Sequence, residues 1–207
     1  MKKSRSQIVT GLSLLVILLL YGSVSQGAET TGAVGFLKKP FLGKSSPMLE
    51  LPLPQDAADI RYLGLSGAGN FTIEQVKSRV LIIEVFSFYC PHCQRSAAQV
   101  NELYQNIEVR PGIKEKIKMI GIGVGNSLYE VNSFRERYRV QFPLIPDQSM
   151  EIAELLGVRG TPTFIVVKLD GKEHQEQIYF GEGGFQDTRQ FLAEIIKSAG
   201  LEAEGTK

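Results

Sequence analysis

Residues 86–94 read FSFYCPHCQ and hold both cysteines of the chain, Cys90 and Cys93. All of its thiol chemistry is therefore gathered in one turn. Several uses fit a cysteine pair separated by two residues. A structural zinc site needs four ligands, usually two such pairs or one pair with two histidines. The only histidines are His92 and His174. His92 lies between the sulfurs, where its ring does not easily join the same tetrahedron, and His174 follows an expected hairpin tip. A copper carrier with two thiolates and one histidine would want that histidine beside the cysteine turn. An inert disulfide would close a very small loop, which removes little unfolded-state entropy and stabilises weakly. The placement suits a pair that opens and closes by thiol exchange better than a staple.

The flanking elements sharpen that chemistry. The segment VLIIEVFSF (80–88) is nearly continuous in apolar, β-branched and aromatic residues and predicts a buried central strand. After the cysteines, Ala97, Val100, Leu103, Tyr104 and Ile107 recur at intervals of three and four, one face of a helix. Cys90 then lies at a helix N-terminus, where unpaired N–H groups and the positive end of the helix dipole favour a thiolate. Such settings bring a cysteine pKa from about 8.5 into a range of roughly 3.5–7.5. Cys90 is the expected nucleophile, and Cys93, one turn inward, the resolving thiol. Pro91 falls in the first helical turn, where its missing N–H costs nothing. The His92 side chain is expected to donate to, or charge against, the thiolate, which would make the disulfide more oxidising.

Further along, IKMIGIGVG (117–125) predicts a second apolar strand, SLYEVNSFRERY (127–138) a helix, FPLIPD a short extended piece and SMEIAELLGV (149–158) another helix. TFIVVKL and EQIYFG read as strands joined at Asp170-Gly171, a two-residue hairpin signal. The amphipathic TRQFLAEIIKSAG closes the pattern. Upstream, IRYLGL and NFTIEQV flank Ser66-Gly67-Ala68-Gly69 and predict a small N-terminal hairpin. Alternating strands and helices with a terminal hairpin imply an α/β fold, a mixed central sheet with helices on both faces.

The chain of 207 residues is 43% hydrophobic and 22% charged, the composition of a single globular domain. Its net charge of +1 gives no basic field for nucleic acid. Lys2, Lys3 and Arg5 precede the uncharged run IVTGLSLLVILLLY (8–21), and small residues follow. Residues 1–27 therefore read as a signal peptide or an N-terminal membrane anchor. Without them 20 basic residues face 22 acidic ones, a net charge of −2. Residues 28–57, with Pro40, Pro47, Pro52 and Pro54, read as a linker, 58–201 as the domain and 202–207 as a flexible tail. LELPLP within the linker could pack an edge.

Two separated motifs, FSFYCPHC and GVRGTPTF (157–164), make the chain resemble the thioredoxin-like superfamily over roughly residues 58–199. The resemblance implies a cis peptide bond before Pro162, with the Thr161 backbone pairing to an extended substrate peptide. Glu84 is an acid within an otherwise apolar strand, where a charge is costly unless it works or is paired. By the same resemblance Glu84 is a buried acid that shuttles the proton of the inner cysteine. The Cys-Pro-His-Cys turn looks like that of the periplasmic dithiol oxidase DsbA, whereas the layout of 121–167, with its central helix, FPLIPD segment and cis-proline loop, is similar to the membrane-tethered TlpA/ResA-like group, usually reductants serving cytochrome c maturation or related tasks. Together they imply a periplasmic or otherwise extracytoplasmic thiol–disulfide oxidoreductase, with no metal or organic cofactor, exchanging its disulfide with protein thiols, with oxidation slightly favoured. A membrane or extracytoplasmic redox partner, and a tether to the inner membrane, follow from the same likeness. The alternatives are a TlpA/ResA-type reductant, a peroxiredoxin-like peroxide reductase and an inactive binding module of the same fold. Against the peroxiredoxin pattern Pro-x-x-x-Thr-x-x-Cys, Ser87 and Ile83 stand where threonine and proline would.

Overall fold

A computed structural model describes Gly35, residues 39–40, 49–169 and 175–202, all within one unit, Val34–Lys207. The expected export segment at 1–27, the Asp170-Gly171 turn, His174 and residues 203–207 lie outside the described residues.

A mixed sheet forms the centre. In chain order its strands are β1 (Lys39–Pro40), β4 (Val80–Phe86), β5 (Ile117–Val124), β6 (Leu144–Asp147), β7 (Thr163–Leu169) and β8 (Gln175–Glu182). Across the sheet they run β1-β8-β7-β4-β5-β6. β4, β5 and β6 are mutually parallel, while β7 is antiparallel to both β4 and β8. The helices are α1 (Ala57–Leu63), α2 (Pro91–Glu108), α3 (Pro111–Lys114), α4 (Leu128–Tyr138), α5 (Glu151–Leu155) and α6 (Thr188–Ser198). From residue 80 onward the elements follow the predicted alternation, with short α3 the one addition.

β4 is central because every one of its residues is buried and it has a partner on each side. Strand alternation splits its side chains between two cores. Val80, Ile82 and Phe86 join Cys93, Ala97, Val100 and Leu103 of α2, Val131 and Phe134 of α4, and Phe191, Leu192 and Ile195 of α6. Leu81, Ile83 and Val85 join the layer containing Leu63 and Ala153. Glu84 has the parity of the first set and therefore belongs to the α2 side. Burying apolar side chains on both faces of one strand is worth about 1.5–3 kcal/mol for each large residue, which makes β4 a firm base for the loop that follows it.

The N-terminal region departs from the expected hairpin. A two-stranded antiparallel sheet is present, but it joins β2 (Glu50–Pro52) to β3 (Asn70–Thr72). IRYL is not a strand; it lies in α1. Asp56 caps that helix by accepting from the Ala58 N–H at 2.8 Å, and Gly64 ends it in the left-handed region at φ 67°. A Cβ on Gly64 would also meet the Lys77 side chain at 2.7 Å. Leu51 and Phe71 face each other across the two strands and are both buried, as is Leu49. Residues 49–52 of the stretch read as linker thus pack into the body, and LELP is the edge that does so. α1 is fastened at its other face: Asp59 pairs with Arg135 of α4 at 2.6 Å, and the Tyr62 phenol accepts from the Met119 N–H at 2.9 Å, on β5 before its pairing with β6 begins.

Candidate functional site

The site is built where β4 gives way to α2. Cys90 is the N-cap of α2, with φ −81° and ψ 113°, and Pro91 occupies the first turn. Its Sγ accepts from the Cys93 N–H at 3.3 Å, one of the donors a helix leaves unpaired at its start. The Cys90 N–H is held by the Ser87 carbonyl at 3.0 Å. Cys90 is half-buried and Cys93 fully buried, and both are free thiols.

The loop before β7 supplies the opposite wall. The Thr161-Pro162 peptide bond is cis, and the Thr161 carbonyl accepts from the Cys90 thiol at 3.3 Å. Thr163 Oγ1 donates to the Gly160 carbonyl at 2.6 Å, and the Gly183 N–H donates to the Pro162 carbonyl at 2.7 Å. The turn is thereby fixed from both sides.

These surroundings drive the two sulfurs apart. Partial burial raises the Cys90 thiol, but hydrogen bonds from the Cys93 and Thr161 side chains and from the Cys93 and His92 backbones outweigh it and hold the group below its ordinary value. Burial, then the hydrogen bond to Cys90, pushes Cys93 up to about 12. Glu84 is 2% exposed, and burial first and the charge of Cys90 second push its carboxyl up to about 8. A reactive outer thiol, a protonated inner thiol and an acid able to trade protons near neutral pH are what disulfide exchange requires.

His92 behaves differently from the expectation. Its imidazole is exposed, and Nδ1 accepts from Arg95 Nη2 at 2.9 Å, one helical turn on. The ring is thus committed to Arg95, and it is the His92 backbone N–H that acts on Cys90. Side chains three residues apart on a helix are neighbours, so the Arg95 guanidinium is within reach of the His92 ring.

The model of the AhpC/TSA family matches residues 44–173. The chain belongs to the AhpC/TSA family. Among its relatives is the thiol-disulfide oxidoreductase ResA of Bacillus cereus, 27% identical over 80% of this chain and 90% of the relative. Solved structures agree on the thioredoxin-like fold. A candidate thiol:disulfide interchange protein DsbE from Chlorobium tepidum superposes with a TM-score of 0.56 at 14% identity, covering 81% of this chain and 99% of the other. A thioredoxin-like superfamily protein gives 0.54 at 20% identity over 74% and 97%.

Within this family fold two residues at the site were not singled out from the sequence. Asn126 is fully buried after β5; its Oδ1 accepts from the Phe88 N–H at 2.7 Å, and its Nδ2 approaches Ser87 Oγ at 3.5 Å. It braces the loop whose Ser87 carbonyl holds Cys90. A polar residue next to Gly125 at a strand end was the available signal, and it reads equally as a turn residue. Tyr89 is 65% exposed beside Cys90. Its hydroxyl hydrogen-bonds Glu130, whose other oxygen accepts from the Ser127 N–H at 2.7 Å in the capping box of α4. Among the described residues no group of three or more His, Cys, Asp or Glu could hold a metal ion.

Proposed function

We propose that the chain works outside the cytoplasm as a reductant of protein disulfides. It is a thiol–disulfide oxidoreductase acting on protein thiols. The observation that carries the direction is the fully buried Cys93, pushed up to about 12 on the same side of β4 as Glu84.

As a reductant, the Cys90 thiolate attacks one sulfur of the substrate disulfide, and the other substrate sulfur leaves as a thiolate. Cys93 then passes its proton to Glu84 and attacks Cys90 Sγ. The Cys90–Cys93 disulfide forms and the substrate departs with both sulfurs reduced; two electrons have moved from the pair to the substrate. Thr161 and Pro162 form the wall against which the partner backbone lies, and Pro91 sets the start of the helix. In the opposite direction Cys93 would have to leave as a thiolate, and a sulfur of such high pKa leaves slowly. The oxidant preference drawn from Pro91-His92 rested on the His92 ring stabilising the Cys90 thiolate, and that ring is bound to Arg95 instead.

Residues 1–27 carry the parts of an export signal, and the relatives named ResA support the same class of activity. The deciding measurement is the reduction potential of the Cys90–Cys93 couple in glutathione buffers. A value of about −270 mV or lower supports a reductant, and one of about −120 mV overturns it in favour of an oxidase.

A further inference from the structure

The cis-proline loop lies on the β7 side of Cys90. Four exposed apolar side chains follow strands on the other. Five large hydrophobic residues are exposed among those described, and four of them follow the C-terminal ends of the parallel strands: Tyr89 after β4, Leu128 and Tyr129 after β5, and Met150 after β6. Their exposures are 65%, 36%, 80% and 55%. Single exposed apolar residues are ordinary, but a gathered set beside a reactive group marks an interaction surface.

The segments that follow β4, β5 and β6 and carry this strip are tied together. The Phe88 N–H reaches Asn126, the Gly125 N–H donates to the Asp147 carbonyl at 2.8 Å, and the Met150 N–H donates to the same carbonyl at 3.1 Å. Met150 holds a left-handed backbone, φ 66°, and its Sδ would lie 3.8 Å from a Cβ built on Gly125. Tyr89 packs edge-on against Phe88 at 5.2 Å and is anchored through Glu130 to the first turn of α4. An exposed aromatic so restrained loses little entropy when a partner covers it.

We propose that the strip Tyr89–Leu128–Tyr129–Met150 is a second docking surface, on the β5–β6 side of Cys90, for apolar side chains flanking the substrate's cysteine. This rests on the exchange chemistry proposed above. Continuity with Cys90 names the occupant: in the mixed disulfide the substrate sulfur is bonded to Cys90 Sγ, so the residues next to that cysteine must lie against one flank or the other. Cis-proline pairing engages backbone and is indifferent to side-chain type, whereas this strip selects apolar side chains.

The test uses two synthetic peptides, each with one cysteine activated as a thionitrobenzoate mixed disulfide. One has Leu and Phe around the cysteine, the other Ser and Gly. Wild type, Tyr129→Ser and the double variant Tyr129→Ser/Met150→Ser, all as full chains, react with each peptide and with the small disulfide dithionitrobenzoate. The wild type is expected to prefer the apolar peptide by about tenfold, what burying one apolar side chain contributes. The double variant should lose that preference while its rate with the small disulfide is unchanged. A preference absent from the wild type, or retained in the double variant, overturns the proposal. Self-association or binding to phosphatidylglycerol vesicles that the double variant alone loses, with peptide preference intact, overturns it too, in favour of a second copy or a lipid surface. Failure of the exchange reading itself looks different: no reaction with the small disulfide in any form.

Discussion

Glu84→Gln makes the protonation of the buried carboxyl visible as a stability difference. In the folded, reduced protein Glu84 is raised from 4.5 to about 8, by burial first and the Cys90 charge second. A raised folded-state value means the group's stabilising contribution is complete below 4.5 and is lost as pH rises through 8, because the unfolded chain ionises first. Each pH unit in that window is worth about 1.4 kcal/mol. The interval from 4.5 to about 8 therefore corresponds to about 5 kcal/mol at most. Gln has the same shape and does not ionise, so any constant cost of its buried amide cancels when the variant is compared with wild type across pH. Urea unfolding of both reduced proteins between pH 4.5 and 8.5, followed by circular dichroism because the chain has no tryptophan, gives the difference directly. The variant should gain several kcal/mol on wild type between pH 5 and 8 and level off above. Repeating the pair with Cys90→Ser removes the thiolate and should lower the midpoint while keeping most of the gain, since burial is the larger cause. A difference that stays within about 0.5 kcal/mol from pH 5 to pH 8.5 would refute the raised carboxyl and with it the proton acceptor assigned to Cys93.

Cys93→Ser should accumulate a mixed disulfide with protein substrates, visible as a thiol-sensitive band on non-reducing gels, whereas Cys90→Ser should form none; equal trapping by both variants would overturn the division of labour between the sulfurs. Asn126→Ala leaves the partly buried Phe88 N–H unpaired, which should cost about 1 kcal/mol of stability. The same change should slow release of thionitrobenzoate in single turnover more than alkylation of Cys90, because Asn126 braces the Ser87 segment, whose backbone hydrogen-bonds Cys93 as well as the Cys90 N–H; an alkylation rate that falls in step would reduce it to a general structural part.

Much of the site was legible because its signals are local or strongly periodic. β4 and α2 carry apolar patterns that few alternatives satisfy, and the two cysteines fall at their junction. The acid within VLIIEVF marked Glu84 by its cost alone, and burial confirms the cost. What was not legible depends on contacts distant in sequence. IRYLGL has strand-like composition, yet Asp56 and Gly64 make it a helix, and NFT pairs with ELP because Leu51 and Phe71 bury together. The direction of the His92 ring is settled by Arg95, and nothing within Pro91-His92 records that. Asn126 acquires its role only because β5 lies beside β4.

Family membership leaves peroxide reduction and disulfide exchange to be separated, and the surroundings of Cys90 separate them. Both chemistries would end in the same Cys90–Cys93 disulfide, because a sulfenic acid on Cys90 would lie against Cys93 and be captured. The difference lies in the first electrophile. Attack on a peroxide is helped by donors or cations that stabilise the departing oxygen. Among the described residues, the groups that hold the Cys90 thiol low are Cys93, Thr161 and the His92 backbone, and Arg95, one helical turn on, is turned to His92. Attack on a protein disulfide instead needs an accessible sulfur, a wall for the partner chain and a leaving thiolate that water can stabilise. Half-exposed Cys90, the Thr161-Pro162 loop and an open apolar flank meet those needs, so the geometry gives protein disulfides the advantage over peroxide.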